Sequence, residues 1–130
     1  MKVSILLSVF NNEQTVEKAI RSILNQTMKD YELLIMDDCS VDNSYNICKE
    51  FEDNIKVKVF RNNSNIGLTK SLNILASNSR FPYLARQDAD DFSSADRLEI
   101  QKKILEKNNY DIVTSRSLII DSKKLRPQLA

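Results

Sequence analysis

Seven residues from Val3 to Val9, VSILLSV, run apolar almost without a break. A strand with one face in water would alternate, so this run predicts a strand buried on both faces, as in a parallel sheet covered by helices on each side. A second run, YELLIMD from Tyr31 to Asp37, has the same character. Between the two, Val16, Ala19, Ile20, Ile23 and Leu24 fall at i, i+3, i+4, i+7 and i+8, a single helical stripe. Asn11 or Asn12 is placed to cap its first turn.

The alternation continues along the chain. After Asp37-Asp38-Cys39-Ser40, Asp42 is expected to cap a helix carrying Ile47, Cys48 and Phe51. In IKVKVF, Ile55, Val57 and Val59 alternate with Lys56 and Lys58, which predicts a third strand at the outer edge of the sheet. A polar loop from Arg61 to Asn65 leads to Gly67, the only glycine, and to a helix with Leu68, Leu72, Leu75 and Ala76 on one side. A fourth strand, roughly Pro82 to Gln87, runs into Asp88-Ala89-Asp90-Asp91. Ser93-x-x-Asp96 reads as a capping pattern for a last helix bearing Leu98, Ile104 and Leu105, with Asp96 assigned to capping. IVTSRSLII after Asp111 predicts a fifth strand or strand pair. The order implies an α/β sandwich with a mainly parallel sheet, in one domain over residues 1–130.

Composition removes several classes of function. Nineteen Lys and Arg against eighteen Asp and Glu leave a net charge of +1, without the global basic footprint of a nucleic-acid binder. There is no histidine, and Cys39 and Cys48 lack metal-ligand spacing, which excludes the usual zinc sites and histidine-based triads. No apolar run approaches the roughly 18 residues of a membrane span and no leader pattern is visible, so a cytoplasmic location is expected.

What remains distinctive is acidic. With eleven aspartates in 130 residues, chance alone supplies about one D-x-D, so Asp88-Ala89-Asp90 says little by its spelling. Its position says more. It follows a predicted strand, Asp37-Asp38 follows another, and ligands of open α/β sheets bind beyond the carboxyl ends of the strands. Either pair alone is as well explained by turns and helix caps. Together they predict carboxylates crowded on one sheet edge with no stoichiometric basic partners nearby in sequence, a setting for Mg²⁺ or Mn²⁺ shared with a diphosphate substrate.

Four ordered segments, VSILLSVFNNEQTVEKAIRSILNQT, YELLIMDDCSVDNS, NIGLTKSLN and YLARQDADD, together resemble the amino-terminal signature of family 2 glycosyltransferases. The similarity reaches about Leu105 and extends to members that build bacterial exopolysaccharide and capsule. It implies the GT-A fold, a Rossmann-like α/β/α sandwich, and a nucleotide-diphosphate sugar donor, by preference a UDP-sugar. By that resemblance Ser8 and Phe10 flank the base, with Phe10 stacking on it. Asp38 takes the ring N–H of uracil, and Asp37 supports the turn or the ribose. Asn65, Gly67 and Lys70 match the loop and helix start near the base and diphosphate, Lys70 lending charge to the phosphate or standing as an ordinary exposed helix residue. Asp88 and Asp90 match the metal-binding pair, Asp90 as the direct ligand and Asp88 toward ribose or a metal-bound water, with Asp91 behind them or toward the acceptor. Arg86 either touches the donor or forms a structural ion pair with the carboxylates. Three positions depart from the pattern: Ser8 replaces a common proline, Phe10 a common tyrosine and Cys39 a common glycine. Cys39 implies that this turn does not need a positive φ.

Members of the family usually invert the anomeric carbon, using a carboxylate base downstream of the D-x-D segment. Asp111 and Asp121 are the only later aspartates and neither sits in a matching motif. The chain is therefore expected to be a donor half whose acceptor half is missing, to bind UDP with metal and to transfer sugar to a glycan or lipid-linked acceptor poorly. Self-association through the exposed apolar surface is expected, as is membrane proximity through a lipid-linked acceptor. Three other readings compete. A signalling receiver domain lacks its phosphoacceptor aspartate in Val59-Phe60-Arg61-Asn62. A D-x-D phosphatase does not fit Phe92. A non-catalytic nucleotide-sugar-binding module shares every donor motif.

Overall fold

The computed structural model describes residues 1–117 and the backbone of residues 118–120 and 127–129. Four parallel strands, β1 (Val3–Val9), β2 (Tyr31–Asp37), β3 (Val57–Arg61) and β4 (Tyr83–Asp88), form one sheet in the order β3-β2-β1-β4. The strands β1 and β2 occupy the two apolar runs and are buried along almost their whole length, because they are central and covered on both faces. β3 lies at one edge as its alternation predicts, although Ile55 falls outside the strand and is 92% exposed.

Helices fill both faces. On one, α1 (Val16–Leu24) inserts Val16, Ile20 and Ile23 between Ile5, Leu7, Val9, Leu33 and Ile35, with Cys48 of α2 (Ser44–Lys49) and Leu98 of α4 (Arg97–Asn108) joining the cluster. On the other, α3 (Leu68–Ser77) packs Leu75, with Leu72 and Ala76 at its margin, on Leu6, Leu34 and Met36. Alternate residues of each strand point to opposite faces, and the two clusters follow that parity. The architecture is an α/β/α sandwich with a parallel sheet.

The chain moves outward from β1 to β3 and then returns past β1 to place β4 on its other side. The switch point is the seam between β1 and β4, where Ser8 stands in register with Asp88.

Several local expectations are corrected. Neither Asn11 nor Asn12 caps α1 by its side chain: Asn11 Oδ1 accepts the N–H of Val41, and Asn12 Oδ1 accepts that of Phe10. Neither Ser93 nor Asp96 makes a side-chain cap on α4. That end is instead held by Gln26, whose Oε1 accepts the N–H of Leu98 at 3.1 Å. Asp42 does act at the start of α2, accepting the N–H of Ser44 at 2.9 Å, and also binds the N–H of Glu13 at 3.1 Å. The predicted fifth strand shrinks to β5 (Leu118–Ile120), which pairs antiparallel with β6 (Pro127–Leu129) outside the main sheet.

Candidate functional site

Beyond the carboxyl ends of β1, β2 and β4 lies an open cleft of about 530 Å³. Ser8, Phe10, Asp38, Asn65, Gly67, Arg86, Asp88 and Asp90 all line it, so eight sequence-predicted residues come together. Asn12 and Leu68 also line it and had no site role assigned from sequence. Their signal was faint, since Asn12 resembles a helix cap and Leu68 a core position.

Asp38 is 2% exposed and organises one wall. Its Oδ1 accepts the Asn62 amide at 2.8 Å and the N–H of Ile66 at 2.9 Å, while Oδ2 accepts the N–H of Gly67 at 2.8 Å. Burial opposes ionisation, yet these donors outweigh it and hold the carboxyl below its ordinary value. Gly67 sits at φ +90 and ψ 163 just before α3, a conformation that only glycine adopts freely.

Asp37 stands differently. It is fully buried and does not line the cleft; its Oδ2 accepts the N–H of Ser40 at 3.1 Å and faces Arg61 Nε at 3.2 Å. Of its two expected roles, support of the turn is the one this geometry shows. The turn itself departs from expectation, because Cys39 adopts φ +63. Lys70 is exposed on α3 and is not part of the cleft wall, which fits its reading as an ordinary helix residue.

On the opposite wall, Arg86 and Asp88 are two residues apart on β4 and so share a face. Arg86 Nε donates to Asp88 Oδ1 at 2.8 Å and Nη2 to Oδ2 at 3.1 Å, a bidentate pair. Asp90 is exposed on the turn that follows. Burial first, then the charges of Asp90 and Asp88, push the Asp91 carboxyl above its ordinary value, with Arg86 pulling it back.

A buried residue that sequence reasoning missed shapes this turn. Gln87 Nε2 donates to the carbonyls of Asp88 and Asp91 at 3.1 and 2.9 Å, and its Oε1 accepts the Ser93 hydroxyl at 2.7 Å. Its signal was weak, because a glutamine between two charged residues reads as solvent-facing until the strand parity is known.

The expectation of crowded carboxylates without basic partners is corrected. Arg61 faces Asp37 and Arg86 faces Asp88, and among the described residues no three acidic, cysteine or histidine side chains gather tightly enough to hold an ion. Asp88 and Asp90 still open on the same cleft. Mg²⁺ and Mn²⁺ need only one or two protein carboxylates when water and phosphate oxygens complete the shell. The residues therefore fit a divalent ion that arrives with a diphosphate. Asp111 is exposed and does not line the cleft; Asp121 lies outside the described residues.

Residues 4–130 match the family model for glycosyl transferase family 2. The putative glycosyltransferase EpsE of Bacillus subtilis is 38% identical over 123 residues, covering 92% of this chain. The chain spans 44% of that relative's length. Among solved structures, TarS 1–349 of S. aureus in complex with UDP-GlcNAc superposes with a TM-score of 0.78 at 21% identity, over 84% of this chain and 32% of that one. Mannosyltransferase PcManGT of Pyrobaculum calidifontis, in complex with GDP-Man and Mn²⁺, gives 0.75 at 18% identity, over 80% and 32%. These two likenesses carry the fold. No helix among the described residues is long and apolar enough to cross a membrane.

Proposed function

Because the chain belongs to glycosyl transferase family 2, we propose that it forms the donor site of a metal-dependent, inverting glycosyltransferase. The donor is a nucleotide-diphosphate sugar, by preference a UDP-sugar, and the acceptor a glycan or lipid-linked glycan. The observation that carries this reading is the convergence of Ser8, Phe10, Asp38, Asn65, Gly67, Arg86, Asp88 and Asp90 on one cleft at the switch point of the sheet.

Each wall has a role in this reading. Phe10, exposed at the end of β1, offers a flat apolar face to the base, with Ser8 beneath it. Asp38 keeps acceptor capacity beyond its three loop contacts for the ring N–H of uracil, while it fixes the Asn62–Gly67 loop at the base. Asp88 and Asp90 would hold Mn²⁺ or Mg²⁺ against the diphosphate. Such an ion supplies Lewis-acid stabilisation of the charge that builds on the departing nucleotide.

A role in polysaccharide assembly in the cytoplasm, at the inner face of the membrane where lipid-linked acceptors lie, is part of the same proposal. Calorimetric titration with UDP, with and without Mn²⁺ and with GDP as control, tests it. Metal-dependent UDP binding that is lost in Asp90→Ala is the expected result. Folded protein that binds neither nucleotide overturns it, and preference for GDP over UDP overturns the uracil assignment.

A further inference from the structure

Resting on that donor-site reading, we propose that Arg86 is a positioning residue that makes ion binding depend on diphosphate binding. Its guanidinium occupies both carboxylate oxygens of Asp88, at 2.8 and 3.1 Å. Those are the oxygens an ion would need. The fork of a guanidinium matches carboxylate and phosphate alike, and serves one of them at a time in this bidentate manner.

Three features make the exchange feasible. Both partners line the cleft, so a diphosphate bound there lies within the reach of Arg86. The side chains of Arg86 and Asp88 are 56% and 39% exposed, and exposed ion pairs hold weakly against a partner of higher charge. The backbone of Arg86 is fixed, by strand pairing opposite Leu6 and by Arg97 Nη1, which donates to its carbonyl at 3.2 Å. Only the side chain has to turn.

The sequence of events follows. A bound diphosphate would draw Arg86 from Asp88 and leave that carboxylate, with Asp90, free to hold the ion. Ion alone would meet a carboxylate whose charge Arg86 already offsets, and would bind weakly against the guanidinium beside it. By linkage each ligand then tightens the other by the same factor.

The test is a set of Mn²⁺ titrations, with and without UDP, on wild type, Arg86→Met and Arg86→Lys, with matching UDP titrations in a chelator. Arg86→Met is expected to bind Mn²⁺ alone about tenfold more tightly than wild type, to bind UDP more weakly in chelator, and to show a smaller coupling factor. Arg86→Lys, which keeps the charge and loses the fork, falls between, and stands in if the methionine variant does not fold. UDP and Mn²⁺ binding with affinity and coupling unchanged by either variant overturns this inference and leaves the donor site intact. Absence of UDP binding in every protein overturns both.

Discussion

The N–H of Gly67 donates to Asp38 Oδ2 at 2.8 Å, so the end of β2 and the start of α3 are joined in one wall of the cleft by a single buried carboxylate. The same group also holds Ile66 and Asn62. Asp38→Ala leaves these donors without their acceptor in a nearly closed space, and is expected to destabilise the fold by about 2–4 kcal/mol. Asp38→Asn retains one acceptor oxygen and is expected to cost roughly half as much. Urea unfolding of the two variants measures this. Equal stability of wild type and Asp38→Ala would show that the loop finds other partners.

Cys39, with its φ of +63, carries backbone strain that glycine would not. Its Sγ makes only a long contact of 3.7 Å to the Asn63 carbonyl, so little is lost with the side chain. Cys39→Gly is expected to raise stability by about 0.5–1 kcal/mol, strain relief exceeding the extra entropy of glycine in the unfolded chain. Cys39→Ala, which keeps a Cβ at the same φ, is expected to bring no gain. A higher urea midpoint for the glycine variant alone checks the assignment.

The contrast between these two positions shows what sequence could reveal. The bounds of β1 and β2 were legible to the residue, because a strand buried on both faces leaves a continuous apolar run. The cleft was legible because both aspartate pairs stand at strand ends, and a parallel sheet brings strand ends together. The start of α4 was not, because its acceptor, Gln26, lies 72 residues away from Leu98. Which of its two expected roles Asp37 takes was not legible for a similar reason: its contact with Arg61 depends on β2 and β3 being neighbours, and Asp37 is in register with Arg61. The conformation of Cys39 is set by the turn geometry after β2, and cysteine gives no local sign of a positive φ.

At the other end of the sheet, buried Glu32 accepts the Ser4 hydroxyl at 2.6 Å, the N–H of Arg80 at 2.8 Å and Arg80 Nε at 2.6 Å. Burial opposes its ionisation, but these partners outweigh it and hold the carboxyl below its ordinary value. A depressed carboxylate stabilises the fold fully above the unfolded value of about 4.3, and that contribution is lost as pH falls through the lower folded value. Glu32→Gln is expected to cost about 1–3 kcal/mol near neutrality, with a reduced loss of stability on acidification. Unfolding curves from neutral pH to below the ordinary carboxylate range test this. Parallel pH profiles for wild type and variant would remove Glu32 from the account.

β4 is the edge of the sheet opposite β3, and its Tyr83 and Leu84 side chains are 44% and 51% exposed. An edge strand with unpaired backbone groups and apolar side chains is a template for pairing with another strand. α3 packs on β1 and β2, and Leu84, on the same face as Arg86 and Asp88, stays half exposed outside that cluster. Self-association of this chain is therefore expected to run through β4. Leu84→Lys places a charge on that edge, away from the hydrogen bonds of Asp38 and Gln87, and is expected to shift the protein toward monomer by about tenfold in the dissociation constant. Sedimentation equilibrium of wild type and variant over a range of concentrations decides it. If wild type remains monomeric throughout, or if both associate equally, β4 is not the contact surface.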